Sequence, residues 1–253
     1  MFKYEKELEL LKNNIPTLYK KNVDSKRIKQ YKDLDSIVTA VDINMEKDII
    51  HLIHSTFKMD YILSEEGHSK NTLKDRTWII DPIDGTTNFA NEIADFVVQV
   101  AFYDLNELQF SYLYFPKENK AYYAKKDFGA YVDDKKIHTS DASFLPSEMI
   151  SLTSLQESGK LNPNIIPIIE RAIDKRMKLR IFGSIGVEFI YLASGKTVMM
   201  NSYTKNIWDI APGLLLIKEA GALVLNLEGK PYNLYDCGMV VYANEAIYRL
   251  FNE

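Results

Sequence analysis

The stretch that decides the fold covers residues 78 to 88 and reads Trp78-Ile79-Ile80-Asp81-Pro82-Ile83-Asp84-Gly85-Thr86-Thr87-Asn88. Its apolar start predicts a buried strand, which ends at two acids three residues apart with a proline between them. The glycine permits a tight turn, and the polar residues after it favour the start of a helix. Carboxylates at a strand exit suit a hard cation such as Mg²⁺, and backbone N–H groups at a helix start suit a phosphate oxygen. A metal ion and a phosphate would then meet at one turn.

Further acids stand at the ends of other predicted elements. Asp42 and Asp209 each begin a helix. Glu65 and Glu66 close a short strand, and only one of them is expected to point inward because adjacent strand residues face opposite ways. Each acid alone fits a helix N-cap or a surface charge, and residues 78–88 alone also fit a capped strand–helix corner. If the acids converge, bound cations must offset their repulsion.

Residues 1–140 are predicted to form an α+β subdomain that carries most of these acids. Apolar spacing predicts a first helix that Pro16 kinks or ends, and a second helix over residues 43–57. The predicted strands cover residues 61–64, 77–80, 96–102, 107–115, 120–124 and 129–132.

The composition changes near residues 138–146, and beyond this boundary residues 141–253 are predicted to form an α/β subdomain. Strands and helices alternate there, which is typical of α/β folds. The predicted helices cover residues 165–174, 187–193 and 211–220, the last with Pro212 in its first turn. The predicted strands cover residues 148–153, 178–182, 198–201, 222–226 and 239–242.

Length, charge and cysteine content exclude several classes of protein. A chain of 253 residues with 46% hydrophobic and 26% charged residues is typical of a folded domain. A net charge of −4 lacks the basic surface of a nucleic-acid-binding protein. The single cysteine, Cys237, excludes an intrachain disulfide and fits a cytoplasmic location. No segment is apolar enough to span a membrane, and the N-terminus does not fit a signal peptide.

Four motifs occur in a fixed order: Val38-Thr39-Ala40-Val41-Asp42, Glu65-Glu66, Asp81 to Thr86, and Trp208-Asp209-Ile210-Ala211-Pro212-Gly213. Together they resemble the inositol monophosphatase family of Mg²⁺-dependent, lithium-sensitive phosphatases, over nearly the whole chain. The resemblance implies a layered αβαβα sandwich, a homodimer, a small phosphorylated substrate and two or three Mg²⁺ ions.

The resemblance also implies a role for each motif residue. Glu65, Asp81 and the carbonyl of Ile83 would hold a first metal ion. Asp81, Asp84 and Asp209 would hold a second, and Glu65 with waters a weaker third.

The catalytic and substrate-binding roles follow from the same resemblance. Asp42 and Thr86 would orient the attacking water, and the amides of Gly85 and Thr86 would hold the phosphate. Gly183 and Ser184 would border the alcohol part of the substrate. Lys32 is a further candidate near the site.

Three positions depart from the family pattern. Ser202 stands where members from animals carry a glutamate that binds inositol hydroxyls, so we expect the segment around it to select the substrate. Ile185 replaces a small residue after Ser184, and Ser64 replaces a glycine before Glu65. The substrate therefore stays open among inositol phosphates, other sugar or polyol phosphates, fructose bisphosphate, the 2′-phosphate of NADP and adenosine bisphosphates.

The implied reaction is in-line attack of a metal-activated water with no phosphoenzyme. Phosphate monoester hydrolysis requires acceleration by up to about 10²¹, whereas a general base supplies about 10²–10⁴. Positioning and charge stabilisation by two cations would supply most of the remainder. A haloacid-dehalogenase-like phosphatase fits poorly, because it needs an acid two residues after its nucleophilic aspartate. The alternative from another class is a non-catalytic metal-binding scaffold, which loss of a metal ligand would favour.

Overall fold

The computed structural model describes residues 2–23, 30–31, 37–70, 72–153, 155–157 and 160–253, so Lys32 lies outside the described residues. The helices are α1 (Glu5–Val23), α2 (Ala40–Thr56), α3 (Thr86–Ala90), α4 (Ile166–Asp174), α5 (Ile185–Ala193), α6 (Ile207–Glu219) and α7 (Glu245–Asn252). A 3-10 turn, Pro163–Ile165, precedes α4.

Two sheets contain most of the strands. The first comprises β3 (Tyr61–Ser64), β4 (Thr77–Asp84), β5 (Val97–Asp104), β6 (Glu107–Phe115), β7 (Lys120–Lys125), β8 (Gly129–Val132) and β9 (Lys135–Ile137). The second comprises β10 (Met149–Leu152), β13 (Lys178–Arg180), β14 (Met199–Ser202), β15 (Leu223–Asn226) and β16 (Met239–Tyr242). Two short pairs complete the set: β1 (Gln30–Tyr31) with β2 (Ile37–Val38), and β11 (Gln156–Glu157) with β12 (Lys160–Leu161).

The elements stack in five layers. Helices α1 and α2 cover one face of the first sheet, and α5 and α6 cover its other face. The second sheet lies beyond α5 and α6, and α4 and α7 close its outer side. The predicted αβαβα sandwich is therefore confirmed, and the division into subdomains near residue 140 stays a prediction.

The first sheet is buried on both faces, which explains the long apolar runs in its central strands. It follows the chain from β3 to β9, with β3 parallel to β4 and every later pair antiparallel. Side chains alternate between faces, so Trp78 packs toward α1 and α2 and Ile79 packs toward α5 and α6. By the same alternation, Asp81 faces α5 and α6.

The second sheet is mixed and has the order β13-β10-β14-β16-β15. Strand β10 is parallel to both of its neighbours, whereas β16 is antiparallel to β14 and to β15. The strands over 107–115, 129–132 and 239–242 have the predicted bounds.

Pro16 and Pro212 lie inside helices, and the position of Pro212 differs from the prediction. Helix α1 continues past Pro16 to Val23, so Pro16 does not end it. Helix α6 begins at Ile207 rather than at residue 211, so Pro212 is inside the helix and not in its first turn. A proline there lacks the N–H that would bond the carbonyl of Trp208.

Helix α7 and strand β9 were not predicted. Among the helices of the described ranges, none is long and apolar enough to cross a membrane.

Candidate active site

Four segments of the chain meet at one cavity of about 220 Å³. They are the ends of β3 and β4 and the first turns of α5 and α6. Strand β3 is held beside β4 in parallel register, and the Glu65 N–H continues the pairing with the carbonyl of Ile80 at 3.3 Å. The predicted metal ligands that line the cavity are Glu65, Asp81, Ile83, Asp84 and Asp209.

Burial raises the pKa of three acids at this cavity, Asp81, Asp84 and Asp209, and repulsion by neighbouring acids adds to each shift. Burial raises the pKa of Asp81 well above its usual range, and Glu65, Asp84 and Asp209 add to the shift by repulsion. Burial also raises the pKa of Asp84 to about 6 and that of Asp209 to about 7. The site therefore disfavours the negative charges that its sequence places there.

Hydrogen bonds hold two of these carboxylates at the starts of helices. Asp84 accepts a short hydrogen bond from the Ser184 hydroxyl and a second from the Gly186 N–H at 2.7 Å. Asp209 accepts from the Thr204 hydroxyl at 2.7 Å and from the Asn206 amide at 3.2 Å. These donors fix each carboxylate while leaving it against the cavity.

The glycine turn after Asp84 allows β4 to approach α5 closely. Gly85 has φ +93°, and a Cβ there would lie 2.9 Å from the Cβ of Ser184. Any larger residue would be strained by its backbone and would collide with the start of α5. Four of the five residues predicted to contact substrate line the cavity, namely Gly85, Thr86, Gly183 and Ser184, whereas Ser202 does not.

Asp42 reaches the cavity only through Thr86. It lies in the first turn of α2, where Thr39 forms a reciprocal capping box with it. Its carboxylate is fully buried, and burial raises its pKa while hydrogen bonds from Thr39 and Thr86 oppose the shift. The Thr86 hydroxyl lies 2.9 Å from Asp42 and 2.9 Å from the Ile83 carbonyl, so its one proton serves either acceptor.

The sequence matches the family model "Inositol monophosphatase family" over residues 5–253. The chain belongs to the inositol monophosphatase family. The sequence-based prediction of a phosphatase of this family is thereby confirmed at the level of the family.

Individual relatives agree with this assignment. The chain is 32% identical over 200 residues to a fructose-1,6-bisphosphatase/inositol-1-monophosphatase of Thermotoga maritima, covering 79% of this chain and 75% of the relative. A solved structure of a Thermotoga maritima IMPase has TM-score 0.84 and 27% identity, covering 99% of this chain and 95% of that one. An IMPase/NADP phosphatase complexed with Mg²⁺ and phosphate shares the fold at TM-score 0.80 and 20% identity, covering 98% of this chain and 92% of that one.

Ser202 does not line the cavity. It lies in β14 with 1% of its surface exposed, and its hydroxyl is 3.4 Å from the N–H of Thr204. Thr204, two residues later, lines the cavity instead. Direct substrate contact by Ser202 therefore has no support from this geometry and stays a prediction.

Sequence reasoning missed several residues of the site. Thr153 and Thr204 line the cavity from loops that carry no motif. Glu188 lies fully buried behind it on α5, where it accepts a hydrogen bond of 2.8 Å from the Thr153 hydroxyl. A lone acid on the otherwise apolar helix 185–193 was the available signal for Glu188, whereas nothing in the sequence pointed to Thr153.

The residues present fit a hard divalent cation. Across the described residues, no group of three or more His, Cys, Asp or Glu side chains is arranged to hold a metal ion as it stands. The donor chemistry nevertheless suits one, because Asp81, Asp84 and Asp209 offer carboxylate oxygens and repulsion among the acids contributes to their raised pKa values. A cation of this kind would remove the repulsion that raises their pKa values.

Glu188→Gln is expected to stabilise the protein above about pH 5. Burial raises the pKa of Glu188 from 4.5 to about 8, so the unfolded chain releases this proton at lower pH than the folded protein does. The penalty is absent below pH 4.5 and grows as pH rises toward 8, because the unfolded state then binds fewer protons. Near pH 7.5 it is on the order of 4 kcal/mol, which glutamine avoids while still accepting from Thr153.

Chemical denaturation at pH 5 and pH 8 measures this difference. A gain in unfolding free energy is expected at pH 8 and little change at pH 5. An equal gain at both pH values would show that ionisation of Glu188 does not oppose folding.

Proposed function

We propose that this protein is a Mg²⁺-dependent phosphomonoesterase that hydrolyses inositol monophosphate or a related small phosphate ester. The observation that carries the proposal is the burial of Asp81, Asp84 and Asp209 against one cavity, where each pKa is raised. Carboxylates whose pKa values are raised in this way oppose folding at neutral pH, and a bound cation would remove that cost. A non-catalytic scaffold is disfavoured, because none of the acids that the family motifs require is lost.

Two or three Mg²⁺ ions are proposed, held by Glu65, Asp81, the carbonyl of Ile83, Asp84 and Asp209. When bound, such ions lower the pKa of a water molecule and neutralise charge on the phosphate oxygens. Asp81 lies deepest, with 1% of its surface exposed, and its repulsion with three other acids places it at the centre of the set.

The chain's own residues would orient the reactants. When the Thr86 hydroxyl donates to Asp42, its lone pairs are free to accept a hydrogen bond from a water in the cavity. Gly85 and Thr86 lie at the start of α3, where their backbone N–H groups would bind the phosphate. Gly183 and Ser184, which adjoin Gly85, would border the alcohol, with Ile185 beside them.

The identity of the alcohol is the open part of the proposal. Thr153, Thr204 and Ile185 line the cavity and would contact the group attached to the phosphate. The Thermotoga maritima relative is named for both fructose-1,6-bisphosphate and inositol-1-phosphate. Fructose bisphosphate is therefore the second candidate, ahead of NADP and adenosine bisphosphates.

Phosphate release from the purified protein tests both parts of the proposal. We expect Mg²⁺-dependent release, inhibited by Li⁺, from at least one of inositol phosphates, other sugar phosphates, fructose bisphosphate, NADP and adenosine bisphosphates. The ranking of kcat/KM across this panel identifies the substrate. Equal activity after treatment with a chelator would contradict the metal requirement, and no release from any ester would contradict the phosphatase assignment.

A homodimer in the cytoplasm, with neither nucleic acid nor membrane as a partner, completes the proposal. The family resemblance supports the dimer, and the single cysteine supports a reducing compartment. Light scattering coupled to size-exclusion chromatography should give about twice the chain mass.

A further inference from the structure

Gln99 is a buried amide on an otherwise apolar surface of β5. Its neighbours on the same face, Val97 and Ala101, belong to the core formed with α5 and α6. Gln99 itself is fully buried and is the direct cross-strand partner of Asp81. A polar side chain at such a position opposes folding unless its hydrogen bonds are satisfied.

The amide nitrogen of Gln99 contacts two separate segments that carry acids of the site. Nε2 lies 3.1 Å from Asp81 Oδ2, 3.4 Å from the Trp208 carbonyl and 3.3 Å from the Asp209 carbonyl. All three partners are acceptors, so the opposite orientation of the amide would set oxygen against oxygen. The side chain therefore links the end of β4 to the first turn of α6.

Pro212 explains why α6 needs this external donor. In a regular helix the N–H of residue 212 would bond the carbonyl of Trp208, but proline has no N–H. The Gln99 amide approaches that carbonyl from the neighbouring sheet. The Trp208 carbonyl, which would normally accept a hydrogen bond within the helix, thus accepts one from Gln99 on β5.

The amide oxygen of Gln99 indicates that this residue does more than stabilise the fold. Gln99 Oε1 is buried and has no hydrogen-bond partner. A Cβ on Gly186 would lie 3.1 Å from this oxygen and 3.0 Å from Asp84 Oδ2, so the amide oxygen faces the same corner as a third acid. An unpaired buried acceptor destabilises the fold, and an apolar side chain would avoid that penalty.

We propose that Gln99 is a positioning residue that sets Asp81 and Asp209 at the separation a divalent cation requires. This inference rests on the metal site of the proposed function. Its amide holds the Asp81 carboxylate and the backbone of α6 together before any cation arrives. Loss of the amide should therefore weaken cation binding more than it weakens the fold.

Mn²⁺ binding, followed by the free-ion signal in electron paramagnetic resonance, compares the wild type with Gln99→Leu. Loss of an outer-shell partner lowers metal affinity by about 10–100-fold, and we expect at least about tenfold here. The matched control is Gln109→Leu, because Gln109 is also a buried strand glutamine whose amide donates to two backbone carbonyls, those of Asp104 and Glu107. We expect its Mn²⁺ affinity within about twofold of wild type.

Pro212→Ala provides a second variant that separates positioning from packing. It restores a helical N–H for the Trp208 carbonyl, so the first turn of α6 depends less on Gln99. In this background we expect Gln99→Leu to weaken Mn²⁺ binding by only about threefold. The effects of the two substitutions would then be non-additive, because both positions act on the Trp208 carbonyl. A tenfold loss in both backgrounds would overturn the link to α6.

The outcomes distinguish this inference from the proposed function. Wild-type protein that binds no Mn²⁺ would overturn the metal site and the role of Gln99 together. Wild-type binding with unchanged affinity in Gln99→Leu would overturn the role of Gln99 alone. A lower melting temperature of the metal-free Gln99→Leu protein with unchanged Mn²⁺ affinity would assign Gln99 to packing and would also overturn it.

Discussion

Asp84→Asn is expected to lower kcat/KM for phosphate ester hydrolysis by at least about 10³-fold while the protein stays folded. Asparagine keeps an oxygen that accepts from Ser184 and Gly186, but it removes one negative charge from the proposed cation site. A factor of 10³ corresponds to about 4 kcal/mol, which is within the several kcal/mol that a positioned cation contributes. Phosphate release at rising Mg²⁺ concentration measures the loss, and activity equal to wild type at any concentration would contradict the assignment.

The same substitution should stabilise the metal-free protein at neutral pH. Burial raises the pKa of Asp84 from 3.8 to about 6, so its charge opposes folding increasingly as pH rises from 3.8 to 6. Asparagine carries no charge and avoids this effect, which predicts a higher melting temperature without Mg²⁺ at pH 7.5 and no difference near pH 3.5. Loss of activity with a gain in stability is the combination expected of a metal ligand.

Asp104→Asn is the matched control for this pair of effects. Asp104 is also a buried aspartate of the first sheet, but it is paired with the Tyr4 hydroxyl and lies 3.7 Å from Lys3. Hydrogen bonds from Tyr4 and from backbone N–H groups outweigh burial and lower its pKa. Its substitution should therefore reduce stability at neutral pH and leave kcat/KM unchanged, which is the opposite pattern.

Gly213→Ala is expected to destabilise the protein by about 2–3 kcal/mol, the upper part of the range of about 1–3 kcal/mol for overpacking a core. Gly213 lies where α6 crosses α5, and a Cβ there would sit 1.7 Å from Cδ2 of Phe189. The ring is fully buried and cannot move without separating the two helices. Because Asp209 is one turn before Gly213 on α6, that separation should also weaken Mg²⁺ binding.

A compensating change tests this explanation of Gly213. Phe189→Leu in the Gly213→Ala background removes the colliding ring and should recover at least half of the lost unfolding free energy. Urea denaturation of the wild type, both single variants and the double variant gives the coupling between the positions. Additive losses would show that the glycine is needed for a reason other than its contact with Phe189.

The local parts of the site could be predicted because their geometry is set over a few adjacent residues. Asp81, Asp84 and the glycine turn are contiguous, so a strand exit followed by a helix start already placed two acids beside a turn. Strand bounds such as 107–115 followed from alternation and from turn residues. The predicted start of α6 was wrong by four residues. The prediction relied on the preference of proline for the first turn of a helix, which takes no account of a hydrogen-bond donor from another element.

The residues that complete the site could not be predicted. Thr153, Glu188 and Gln99 belong to three elements that meet only after both sheets have packed against α5 and α6. No motif marks them, because their contacts depend on register and helix crossing rather than on spacing along the chain. The resemblance to a family assigned roles to the motif residues but gave no role to these three residues.

By itself, the amino-acid sequence determined the order of most of the elements, the family and the acids that would bind a cation. These follow from periodicity, turn residues and short motifs, all of which act between near neighbours in the chain. Only the tertiary structure decided how the acids are held: Asp84 by the start of α5, Asp209 by Thr204, and Asp81 by Gln99. The Gln99 contact joins two strands of the first sheet 18 residues apart, and the Gly186 contact joins β4 to α5 across 102 residues. Both contacts exist only because the folded sheet and its packing against α5 bring those segments together.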